Sequence, residues 1–203
     1  MLKKKYAGKF GKAFTIFCLV SLLAACGQKD EIQSTNLKIS KEGNIISTIV
    51  EDFDKTYYTT EGLESMIQDE INSYNEKKVD AVSLQSVEIP ENMEGKVIVT
   101  MSFASSEDYT EFNEEELFYG TISQAIAAGY KLPSKLISVA DQTKTIGRQD
   151  IEAMTDHHVL IMEEKTVVVL PHKAVYISEG VELIGSKKIN VANANGLTYV
   201  IME

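Results

Sequence analysis

The chain has no tryptophan, three prolines and two cysteines. The cysteines are Cys18 and Cys26, so residues 27–203 contain none. No disulfide can staple that stretch, and its stability must come from a packed core. Pro90, Pro133 and Pro171 all fit turns or strand edges better than element interiors. Positive charge is also scarce. Five of the 20 basic residues are Lys3, Lys4, Lys5, Lys9 and Lys12, in a stretch without acids. That leaves fifteen basic against thirty acidic residues from position 26 onward, a net charge of −15. Such a surface argues against nucleic acid and against anionic lipid headgroups. It suits the capture of cations or basic peptides.

Several chemistries lack their motifs. There is no Gly-x-Ser-x-Gly elbow, no phosphate loop and no dinucleotide fingerprint. No Cys pair or His-x-x-x-His is present to hold a metal. No cofactor and no metal are therefore expected.

What the sequence does have begins at its start. The lysines form a positive n-region, and an apolar h-region runs from Ala13 to Leu23. Small residues Ala24 and Ala25 follow, then Cys26. This is the layout of a secretory signal peptide over residues 1–25. The h-region is about half the roughly 20 residues that a membrane-spanning helix needs.

Leu23-Ala24-Ala25-Cys26 resembles the lipobox of bacterial lipoproteins. The resemblance covers the leader only. It implies diacylglycerol on the Cys26 thiol, cleavage before Cys26, and a chain held by palmitate-like acyl chains at the extracytoplasmic face of the cell membrane. Two acyl chains suit the physics, because burial contributes about 0.8 kcal/mol per CH₂ and one chain alone binds marginally. The stretches Ser47 to Asp54 and Val168 to Ser178 resemble uncharacterised surface lipoproteins of Gram-positive bacteria. That likeness implies location and no activity.

Residues 26–40 are polar and read as a flexible tether of very roughly 20 Å. Residues 41–203 then read as a single α+β domain, with Pro133 as an alternative point of division. Ile45 to Phe53 predicts a strand. Leu63, Met66, Ile67, Ile71 and Tyr74 recur at helical spacing, predicting an amphipathic helix over about 60–77, capped by Thr59 or Thr60. It cannot bury its stripe alone, so an antiparallel sheet must lie beneath it. Val79 to Ile89, with an irregularity, and Val97 to Phe103 predict a hairpin. Ser105 or Ser106 and then Thr121 cap two short helices, the second ending at Gly129. From Leu136 onward the pattern predicts a β-rich half, with a short helical turn at Gln149 to Met154.

Candidate chemistry has a bland counterpart at each point. His157 and His158 would point to opposite faces of a strand, so they and His172 read as surface histidines rather than ligands. Asp141 to Glu152 has the length of a calcium loop but puts Ile146 where Gly is needed. The acidic run Glu107, Asp108, Glu111 and Glu114 to Glu116 reads as a solvated face. Asp52 and Asp54 share a face and form a weak cation site. Tyr57, Tyr58, Tyr109 and Tyr119 are the ligand-groove candidates, although tyrosines of this kind often seal the edge of a core. The expected function is a membrane-anchored, non-enzymatic module binding a protein, peptide or wall component. The alternative is an extracytoplasmic hydrolase acting on wall or glycan through a carboxylate pair.

Overall fold

The computed structural model describes residues 34–55 and 57–203. The expected leader, Cys26 and the first part of the expected tether lie outside the described residues. In chain order, β1 (Asn36–Ile39) and β2 (Ile45–Asp52) lead to α1 (Thr60–Asn75). The hairpin β3 (Val82–Glu88) and β4 (Lys96–Phe103) leads to α2 (Ser106–Asn113), and β5 (Leu117–Thr121) runs into α3 (Ile122–Ala127). β6 (Lys135–Ser138) and β7 (Thr145–Gly147) precede α4 (Arg148–Ala153). The last strands are β8 (His158–Met162), β9 (Val167–Val169), β10 (Ala174–Ile177), β11 (Glu182–Gly185), β12 (Lys188–Asn190) and β13 (Thr198–Met202).

The fold is α+β and rich in strand, as the pattern predicts. The strands form two sheets rather than one. A seven-stranded sheet has the order β11-β12-β9-β1-β2-β4-β3, and a six-stranded sheet the order β5-β8-β13-β10-β6-β7. Both draw strands from before and after Pro133, so the chain does not divide there. Residues 33–203 cluster as one compact unit.

The expected tether ends earlier than Ser40. Asn36–Ile39 is a strand at the centre of the larger sheet, antiparallel to β2 and parallel to β9. Leu37 and Ile39 alternate with Asn36 and Lys38, and both apolar side chains are buried. Two apolar residues behind a polar run are a weak signal. Their partner β9, Val-Val-Val, is 131 residues away and cannot be read locally.

α1 starts where expected, with the Thr59 hydroxyl accepting from the Gly62 amide at 3.1 Å. It ends two residues before Lys77, and the chain reverses through Asp80 in a left-handed conformation, φ 53°. Ile67 and Ile71 are buried against the sheet. The β3–β4 irregularity falls between Leu84 and Ser86.

The inner faces of the two sheets share one core. Leu37, Phe103, Val168 and Ile189 of the larger sheet join Leu160, Met162, Val200 and Met202 of the smaller, with α1 and Tyr109 of α2. The other face of the smaller sheet is covered by α3 and α4, which bring Ile122, Ala125 and Ile151 onto Val159, Ile161 and Ile201. β8 is therefore buried on both faces, which explains its unbroken apolar run.

Candidate binding site

The four tyrosines do not form one groove. Tyr57 and Tyr58 stand together on the loop between β2 and α1. The Phe53 amide bonds to the Gly95 carbonyl at 2.7 Å, tying this loop to the β3–β4 turn. Tyr58 stacks on Phe53 with centroids 5.4 Å apart, and Tyr57 meets Tyr58 edge-on at 4.7 Å. Phe53 is rooted in the core, whereas Tyr58 is 47% and Tyr57 74% exposed. The result is a three-ring ladder from core to solvent.

The end of the sheet next to the ladder carries several carboxylates. β2 ends in Glu51 and Asp52, Asp54 follows, β3 ends in Glu88, and the turn carries Glu91 and Glu94. Register places Asp52 opposite Lys96 and Glu88 opposite Ile98, so these groups share one end of the sheet. Six acids face two lysines, and each lysine is taken by one aspartate. Lys96 lies 2.6 Å from Asp52 and Lys55 lies 3.1 Å from Asp54. The Lys96 bond holds the Asp52 carboxyl below its ordinary range, while burial and then the Asp52 charge raise Glu51. Asp52 and Asp54 thus have separate cations and do not converge on a metal. Among the described residues no cluster of three or more metal-ligating groups occurs.

Tyr119 lies elsewhere, in a polar cleft of about 270 Å³ with Lys41, Glu42, Ser105, Ser106, Gln124 and His158. Its ring stacks on His158 at 5.4 Å, and His158 stacks on His172 at 5.1 Å. Imidazole lone pairs lie in the ring plane, so stacked rings do not aim at one ion. Burial, then the charges of His158, Lys41 and Lys187, hold His172 below its ordinary range. The Tyr119 hydroxyl is buried with no hydrogen-bond partner, and burial followed by the Glu42 charge raises its pKa. His157 has no part in this stack. Its backbone serves the fold, accepting from the Ile122 amide at 2.9 Å.

Tyr109 is a core residue, packed edge-on against Phe103 at 5.0 Å, and its hydroxyl donates to Glu164. Burial pushes both groups toward their protonated forms. Most of the acidic run is exposed, but Asp108 is buried, and Lys78 organises the part on α2. Lys78 lies 3.2, 3.4 and 2.9 Å from Glu107, Asp108 and Glu111. Tyr74 donates to the last two, and burial followed by the Glu111 bond pushes its pKa up to about 12. A second cleft, of about 420 Å³, lies between α3 and α4 beside Ile126, Lys131 and Arg148.

The pattern reading left out Phe53 as part of the ladder and His172 as a partner of His158. Phe53 was open to inference, since an aromatic ends the strand just before Tyr57-Tyr58. His172 was not, because its approach to His158 depends on how β8 and β10 lie in one sheet. Compared with known proteins, the chain matches no family, no curated protein and no solved structure.

Proposed function

We propose that this chain is a lipoprotein anchored through Cys26 at the extracytoplasmic face of a cell membrane, acting as a non-enzymatic binding module for a positively charged segment of a protein, peptide or wall component. The observation that carries the reading is the exposed ladder Phe53–Tyr58–Tyr57, at an end of the sheet that also carries six carboxylates. Singly exposed apolar residues are ordinary on protein surfaces. Rings in mutual contact, rooted in the core, offer their faces to a cation at little cost in ordering. The carboxylates and the net charge draw the same partner from a distance.

The test uses the full chain in detergent and a capped seven-residue peptide alternating lysine and threonine. Binding is expected to weaken with added salt. Tyr57→Ala and Tyr58→Ala are each expected to weaken it about two- to fivefold. Equal binding of the glutamate-for-lysine peptide would count against the reading. For the anchor, Cys26→Ala is expected to leave the membrane fraction, and a retained variant would argue for some other attachment.

One observation favours the hydrolase alternative. Glu115 and Glu164 lie in separate loops, after α2 and after β8, and burial raises both carboxyls. Such a pair could exchange a proton with substrate. Glu164 is, however, engaged by the Tyr109 hydroxyl, and neither cleft described above contains it. Release of product from wall fragments, lost in Glu164→Gln, would favour the hydrolase.

A further inference from the structure

Two sheets give four terminal strands: β5, β7, β11 and β3. A terminal strand presents amides and carbonyls that invite another chain to pair. β7 has three residues and β11 four, with a register shift before Gly185. Both are too short to template much. β5 is longer, but its outward amides are closed by side chains. The Leu117 amide bonds to the Thr110 hydroxyl at 2.9 Å, the Tyr119 amide to Ser106 at 3.1 Å, and the Thr121 amide to Gln124 at 2.8 Å.

β3 differs. It is seven residues long and contains no lysine, arginine or proline. The Asn75 side chain closes its first rung, accepting from the Val82 amide at 3.1 Å and donating to the Val82 carbonyl at 2.8 Å. This fixes Val82 as outward-facing. By antiparallel alternation Ser83 turns to β4 and Leu84 faces out. Beyond the shift at Gln85, Ser86 opposite Thr100 turns to β4 and Val87 faces out. Among the described residues, the open run is therefore the two rungs at Leu84 and Val87. It is flanked by the exposed apolar residues Val79 (89%) and Ile89 (58%).

The surroundings select the occupant. Asn75 shows which flank of α1 overlooks this edge, and helical spacing puts Glu64 and Gln68 on the same flank. Glu88 lies on the strand itself. A strand laid beside β3 would thus have a carboxylate above it and another at its end. β3 carries an acid and no base, so a second copy of the chain would add like charge. The geometry points to β3 as a strand-addition site for an extended basic segment, the main chain pairing at Leu84 and Val87 and lysine or arginine side chains reaching Glu64 and Glu88. This rests on the cationic ligand proposed above and adds its mode of binding.

The test follows amide exchange in the full chain in detergent with three probes: the lysine–threonine peptide, its form N-methylated at alternate amides, and its glutamate form. The lysine–threonine peptide should slow exchange at Leu84 and Val87. N-methylation should weaken binding at least about tenfold, because the strand can no longer pair. Ser83→Lys, at an exposed position, should weaken the lysine–threonine peptide without changing the melting temperature. Equal binding of the methylated peptide, without slowing at Leu84 and Val87, overturns strand addition and leaves the cationic ligand standing. Slowing by the glutamate peptide as strong as by the lysine–threonine one overturns the basic occupant. Slowing at these amides without peptide, relieved on dilution, would show a second copy on the edge and overturn the proposal. Failure of every peptide to bind overturns both readings.

Discussion

β3 and β5 each end a sheet, and each has a helix beside it. At β5 the helices supply side chains to the outward amides, and Thr110 serves both the amide and the carbonyl of Leu117. At β3 the neighbouring helix supplies Asn75 to one rung and then leaves the strand to solvent. The difference lies in which face of the helix meets the edge. α2 and α3 present hydroxyl and amide groups short enough to reach the backbone. α1 lies over the β3 face with its isoleucines down, so its polar row points past the edge. A sealed edge fixes a boundary of the fold, and an open one is available for binding.

The comparison can be broken first at α1. Ile71→Asp puts a charge in the core beneath the helix that holds β3, and should cost more than about 4 kcal/mol, abolishing the cooperative melt. A melting temperature unchanged within a degree or two would mean that α1 does not support the edge. Thr110→Val strips both Leu117 groups of their partner at a buried position. The expected loss is about 2 kcal/mol, some 4–8 °C in melting temperature for a chain of this size. Asn75→Ala removes two bonds at the more open edge, where water can replace them. It should cost about 1 kcal/mol and speed exchange at Val82. A larger loss from Asn75→Ala than from Thr110→Val would invert the contrast between the edges.

The smallest effect is in the pH dependence. Tyr109 on α2 bonds to Glu164 after β8, fastening the helix that seals β5. Burial raises the Glu164 carboxyl above its ordinary value of 4.5 in the folded state. The folded chain therefore binds a proton more readily than the unfolded one. This stability is present below about pH 4.5 and is lost as pH rises through the raised value. Glu164→Gln keeps an acceptor for Tyr109 and should flatten that slope in urea melts across this range. An unchanged slope would assign it to other groups. Exchange at Leu117 and Tyr119 should follow the same pH trend, and exchange at Leu84 should not.

Much of the architecture was legible because it is local. The stripe from Leu63 to Tyr74, the caps at Thr59, Ser105 and Thr121, and the alternation in β4 each need only a few neighbouring residues. β1 looks like tether in the sequence because its partners, not its composition, give it meaning. β5 went unnamed because Glu114 to Glu116 dominate its approach. The tyrosines show the same limit. Residue type marked all four as candidates, but Tyr109 fills the core and Tyr119 a cleft, leaving Tyr57 and Tyr58 on the surface ladder.

Near-neighbour chemistry determined the helices, the hairpin and the acidic balance, because periodicity, capping and charge act over a turn or a rung; the anchor is proposed from the same kind of local pattern. Long-range packing alone set the division into two sheets, the parallel union of β1 with β9, the burial of Tyr109 and the open edge at β3. β1 meets β9 across 131 residues and Tyr109 meets Glu164 across 55, and no local pattern carries such meetings.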